Sequence, residues 1–282
     1  MNQSLSLNEI QIEDIRKLAE EQRRKLGSFG ETAIANDIFT ILDNINILLL
    51  EYPIESEDDK PAFSATLMYS TEGDKELVFI GLNTADYFDK QVFALSHELY
   101  HYFAKTGSHL SRLSEEQNNL IEVKANRFAA EFLLPKIILE SIVLNEFKMS
   151  SLKQIQTKIL LRFIARMQCT WWLPYRSLVK RLREIDAIAA DQYVELYAIN
   201  ERDMNGEYAR IGKAINKDMF IKLNTATNNI GTSPKNIEIV IRNFEDNLID
   251  EHQFNDTLNL FDKKTDDFGY KIEVEGMEFL YP

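Results

Sequence analysis

Apolar side chains recur at Ile10, Ile12, Ile15, Leu18 and Leu26, and this spacing predicts an amphipathic helix over residues 8–26 that Gly27 closes. A second helix is expected over residues 32–42. The pattern then shifts: residues 45–52 form a short apolar run suited to a buried strand, stopped by Pro53, and residues 55–60 read as an acidic loop. Residues 62–69 and 76–82 read as extended segments on either side of Thr71-Glu72-Gly73-Asp74, a turn sequence, so they predict a hairpin. Its second strand leads into a helix expected over residues 89–104, with Gly107 near its C-terminal cap. Phe93, Leu95, Leu99, Tyr102 and Phe103 make that helix apolar around most of its circumference, which places it at the centre of a domain.

A long helical pattern over residues 115–134 is expected to return antiparallel to the central helix. Pro135 opens a further helical region, residues 151–166 read as another amphipathic helix, and residues 169–174 interrupt the pattern before a helix over 175–185. Residues 233–250 are expected to be helical from Pro234, and residues 270–281 alternate as a terminal strand or hairpin. The fold class expected is α+β and mostly helical, with a small sheet beside the central helix. Three parts are expected: a first domain over residues 1–135, a helical region over 136–186, and a C-terminal α/β extension over 187–282 of unassigned role.

With 282 residues and 45% hydrophobic content the chain can bury at least one substantial core. The formal charge of −13 opposes non-specific attraction to nucleic acid, so direct nucleic-acid binding is not expected. The start lacks a basic region followed by an apolar stretch, and the greasiest run is broken by Asp43, Asn44 and Asn46, so no membrane span is expected. The lone Cys169 excludes an internal disulfide and any multi-cysteine zinc site; a cytoplasmic location fits that. Metal must be held by His and carboxylate.

His97-Glu98-Leu99-Tyr100-His101 supplies such a site. A four-residue step advances a helix by about 400°, so both imidazoles project from one face about 6 Å apart and can share one tetrahedral ion. Glu98 lies about 100° round, placed to take a proton from water without becoming a ligand. A third ligand is required, leaving one position open. The metzincin pattern is excluded, because the positions it needs hold Ala104 and Gly107. His109 in the following loop is one candidate. Glu122 is the better one: it shares a face of the 115–134 helix with Ala125, Asn126, Ala129 and Leu133, opposite Lys124, Arg127 and Glu131, and so is expected to point inward. Imidazole-held zinc would then be its counter-charge, the alternative being an Arg or Lys partner. Asn126, one turn on, can accept the free ring N–H of a ligating His, assigned to His97. Tyr102, one turn after Glu98, is a candidate transition-state donor, with a core tyrosine as the other reading. Residues 77–83 are assigned as the strand nearest the site, holding an extended peptide at its edge; an interior strand is the other reading.

FALSHELYHYF followed by IEVKANRFAAEFLLP resembles the ImmA/IrrE family of bacterial and phage metallopeptidases. The likeness covers roughly residues 45–135, more weakly the N-terminal helix and a stretch to about residue 185, and is specific in the two helices. It implies a gluzincin-like, zincin-type core, one Zn²⁺ per chain held by His97, His101 and Glu122, and Glu98 as general base. Tyr100 departs from the Gly common at that position. The resemblance also implies a site-specific endopeptidase whose partner is a helix-turn-helix repressor or an antitoxin. The alternative is a non-catalytic regulator that keeps the metal fold and binds a partner or DNA, with Arg176, Lys180, Arg181 and Arg183 of the 175–185 helix meeting phosphates. Intact Glu98 favours catalysis, since a structural site needs no base there. The C-terminal acidic groups, including Asp246, Asp250 and Glu251, offer a dock for a basic partner, and solvation explains them equally well.

Overall fold

The computed structural model describes residues 6–28, 30–54, 63–72, 75–106 and 115–271. The expected acidic loop, the Gly73-Asp74 turn centre, Gly107, His109 and nearly all of the expected terminal strand lie outside the described residues.

Helix α1 (Glu9–Lys25) begins where Asn8 and Gln11 exchange side-chain and backbone hydrogen bonds, a reciprocal cap, and ends just before Gly27, whose φ of +79° suits a residue without Cβ. The helix expected over residues 32–42 is shorter: a single 3-10 turn (Ala35–Asp37) leads into α2 (Ile38–Asn44). Strands β1 (Ile47–Tyr52), β2 (Ala65–Glu72) and β3 (Lys75–Asn83) follow. β2 and β3 form the antiparallel hairpin, while β1 runs parallel to β3. Leu49, Ile80 and Leu67 align across the three strands, an apolar row with Leu49 and Ile80 buried.

Helix α3 (Phe88–Ala104) packs against β2 and β3 and antiparallel to α4 (Glu115–Leu133). Leu95 and Leu99 are fully buried, and an aromatic chain of Tyr100, Phe103, Phe128 and Phe132 joins the two helices. Lys105, in the left-handed conformation at φ 53°, stops α3. α5 (Lys136–Phe147), α6 (Thr157–Trp171), α7 (Tyr175–Glu184), α8 (Ala190–Tyr197) and α9 (Glu207–Leu223) complete a core that runs continuously from Ile15 to Leu223. α6 begins later than expected and continues through Cys169 to Trp171, with Trp172 as its left-handed cap. β4 (Gly231–Thr232) pairs antiparallel with β1, giving the mixed order β2-β3-β1-β4. α10 (Pro234–Glu245), capped by Ser233, and α11 (Glu251–Asn259) enclose a second small core of Ile237, Phe254 and Leu258. The protein is α+β and mostly helical, and among the described residues no helix is long and apolar enough to cross a membrane.

Two sequence expectations are corrected here. β3 is interior, and β2 is the sheet edge on the side of the hairpin. The supposed solvent side of α4 is also buried: Glu131 is 1% exposed and pairs with Arg127 of its own helix and Arg181 of α7, both at 2.9 Å. Periodicity groups residues by face, but polar groups with complementary charges can face a core as readily as apolar ones.

Candidate metal centre

α3 and α4 carry the site between them. The four-residue step of α3 turns His97 and His101 the same way, and their Nε2 atoms stand 3.2 Å apart. From α4, Glu122 Oε2 lies 3.1 Å from His97 Nε2, and Oε1 lies 3.5 Å from His101 Nε2. The Asn126 Oδ1 atom is 3.2 Å from His97 Nδ1, and Thr106, just after α3, places Oγ1 2.9 Å from His101 Nδ1. In the tautomer whose Nδ1–H faces the side-chain oxygen, each Nε2 can take a metal; in the other, His97 Nε2 donates to Glu122 Oε2. One ligand atom from each of His97, His101 and Glu122 falls within 4.8 Å of the others, a spacing at which all three can hold one cation. The set therefore fits a divalent metal. Glu122 reaches it from the cleft mouth, with its side chain 47% exposed, rather than from a core as the helical pattern suggested.

Glu98 is buried and accepts the backbone N–H of Leu67 on β2 at Oε2, 2.9 Å away. Among the described residues no other group bonds this carboxylate, which leaves Oε1 for a proton. Burial pushes the Glu98 carboxyl above its usual range, against the charge of His97 and the Leu67 N–H. Burial likewise opposes charge on His97, but the Glu122 hydrogen bond and the Glu98 and Glu122 charges outweigh it and raise its pKa. His101 is lowered by burial and by His97, while Glu122 is lowered chiefly by its hydrogen bond from His97.

His97, Glu98 and Glu122 line a cleft of about 430 Å³ together with Ser64, Asp86, Lys90 and Phe93. Asp86 accepts the Ser64 hydroxyl and the Tyr87 N–H, and lies 3.3 Å from Lys90 Nζ. Sequence reasoning placed Asn126 beside His97 but missed Thr106, Ser64 and Asp86. Isolated polar residues beside an element carry no periodic signal, and the Leu67 N–H is a backbone group that no residue type advertises. The half-buried ring of Tyr102 meets Phe103 edge-on at 5.4 Å. On β2, Tyr69 has its hydroxyl pKa raised by burial and by Glu76, Tyr102 and Glu98, so it shares Glu98's surroundings.

No curated protein matches the chain. Residues 47–160 match the family model Peptidase_M78, the IrrE N-terminal-like domain, a segment that starts on the first residue of β1, includes both site helices and ends inside α6. That match identifies residues 47–160, the segment that carries His97, His101 and Glu122, as an IrrE N-terminal-like domain similar to the metallopeptidases of that family.

Proposed function

We propose that the protein is a cytoplasmic, zinc-dependent, site-specific endopeptidase that cleaves a helix-turn-helix repressor or antitoxin-like partner. The observation that supports this most is the convergence of His97, His101 and Glu122 beside a buried carboxylate already anchored to an edge strand. Zinc held by those three residues supplies a Lewis acid that acidifies water and polarises a peptide carbonyl. Glu98 Oε1 accepts the proton from water and passes it to the leaving amine, and its raised pKa suits both tasks. The free edge of β2, the strand whose Leu67 N–H meets Glu98, is the edge on which an extended peptide can pair. Asn126 and Thr106 hold the two rings in the tautomer that aims Nε2 at the metal.

The test uses the full chain and a small helix-turn-helix protein encoded beside it. Metal analysis should give about one zinc per chain. Intact mass should show the partner split into two fragments that sum to its mass plus one water. The Glu98→Gln variant should retain zinc and give no fragments; an uncut partner, or cleavage surviving that substitution, refutes the reading.

A further inference from the structure

A second cavity, of about 560 Å³, adjoins the metal cleft, and Phe93 and Asn126 line both. Its apolar wall is Leu7, Ile12, Val123 and Ala130; its charged wall is Arg127, Lys180, Arg181 and Glu184. The two arginines are balanced by Glu131 and Glu184, yet each keeps a buried Nε–H without an acceptor. Lys180 adds an uncommitted charge. Arg176 pairs with Glu201 and Arg183 with Asp186, whereas exposed Lys180 has no carboxylate partner among the described residues and lies 5.8 Å from the Tyr197 ring centroid. A partly apolar cavity that carries an unpaired lysine on a chain of net charge −13, and that shares Phe93 and Asn126 with the metal cleft, is a selective feature.

We propose that this cavity receives an acidic side chain of the bound polypeptide, with Lys180 as its charge partner and the Leu7–Ile12–Val123 wall holding a neighbouring apolar residue. This rests on the peptidase reading for the occupant's direction: the chain enters from the metal cleft past Phe93 and Asn126. From Glu122 to Ala130 helix α4 rises about 12 Å, which an extended peptide spans in about four residues. The Ala130 end of the pocket is therefore reached about four positions from the cleaved bond, and the acidic residue is expected next to it. A nucleic-acid occupant is disfavoured because Arg181 is 1% exposed and Arg176 and Arg183 are paired within the chain.

The test is a random peptide library offered in two ways to the full, zinc-loaded chain. Captured on the immobilised Glu98→Gln protein, bound peptides should be enriched in Asp or Glu next to an apolar residue. Lys180→Glu introduced beside Glu98→Gln should reverse that preference toward Lys or Arg. Digested by the protein with Glu98 intact, cleaved peptides should show the same acid about four residues from the cut, and Lys180→Glu should lower kcat/KM for an acidic peptide about tenfold. Binding that follows Lys180 without any cleavage supports this pocket while refuting the peptidase. Cleavage without acid preference, a preference that Lys180→Glu leaves unchanged, or no selection of peptides overturns the pocket, as does a fluorescent DNA duplex bound by the unsubstituted chain and lost on Lys180→Glu.

Discussion

Glu122 and Glu131 sit on the same helix and hold opposite kinds of site. Glu131, nearly inaccessible, meets two guanidinium groups and the Lys136 backbone N–H, all at 2.9 Å; its charge is answered inside the chain. Glu122, half-exposed, meets two imidazole nitrogens whose other ring atoms are already turned to Asn126 and Thr106; its neighbours are titratable rings rather than fixed cations. Both carboxyls are held below the usual range. For Glu131 the charge of Arg181 overcomes burial, and for Glu122 the His97 hydrogen bond leads. A buried carboxylate with its cations built in is a fastening; one facing converged imidazoles waits for an ion from solution.

The sharpest way to break this comparison is to remove each carboxylate. Glu122→Ala should cost the protein its zinc and lower peptidase activity by roughly a thousandfold or more, because two imidazoles alone hold zinc poorly, while the unfolding midpoint of the metal-free chain stays unchanged. Stoichiometric zinc in that variant would sink the assignment. Glu131→Ala should do the reverse: a loss of about 3–5 kcal/mol in denaturant unfolding, since buried Arg181 loses its fully buried carboxylate and keeps only the part-exposed Glu184, but zinc content per folded chain retained. Replacing Glu131 and Arg181 together by apolar residues of similar size should recover much of that loss.

This pair also marks what the sequence reveals. The His-Glu-x-x-His spacing and the shared face of Glu122 and Asn126 are local helical geometry, and the structure brings these residues together at hydrogen-bond distance. Which side of α4 is buried is not local. Arg181, fifty residues beyond Glu131, decides it, and a helix of four cations gave no sign that one would be a core residue. The same holds for the sheet: the hairpin is readable from its turn and alternation, but β1 adding parallel to β3, and so leaving β2 at the edge, depends on a long-range pairing. α8, α9 and β4 were not read. α9 bends at Asn216, where the backbone is non-helical, and Gly212 lets Phe220 approach more closely than any Cβ would permit, so no single face repeats along it.

A smaller change separates holding a metal from orienting those who hold it. Asn126→Ala and Thr106→Val should each weaken zinc about 10- to 100-fold, measured by competition with a chelator, with the fold and the third ligand intact. Asn126→Asp should recover the affinity at His97, since a carboxylate accepts the same ring N–H. If Asn126→Ala leaves zinc affinity unchanged, the ring is oriented by packing alone and the contrast with the self-contained Glu131 network narrows.

The smallest expected effect is in acid. The Glu131 carboxyl is held below its usual range in the folded protein, so folding favours its charged form; that stabilisation is complete at neutral pH and is lost as pH falls through the lowered value. Asp89 works in the other direction. It is fully buried at the start of α3 between Arg202 and Gln168, and burial outweighs both in raising its pKa, so protonation there favours the fold as pH falls. The two slopes oppose each other in the whole protein, and a single acid titration of stability cannot separate them. Comparison with Glu131→Gln can: the substituted chain, lacking the Glu131 contribution, should lose less stability per pH unit below about pH 4 and can even gain where Asp89 takes up its proton. Parallel slopes in the two proteins would mean that Glu131 does not owe its lowered pKa to the fold, and the self-contained character of that face of α4 would fall with it.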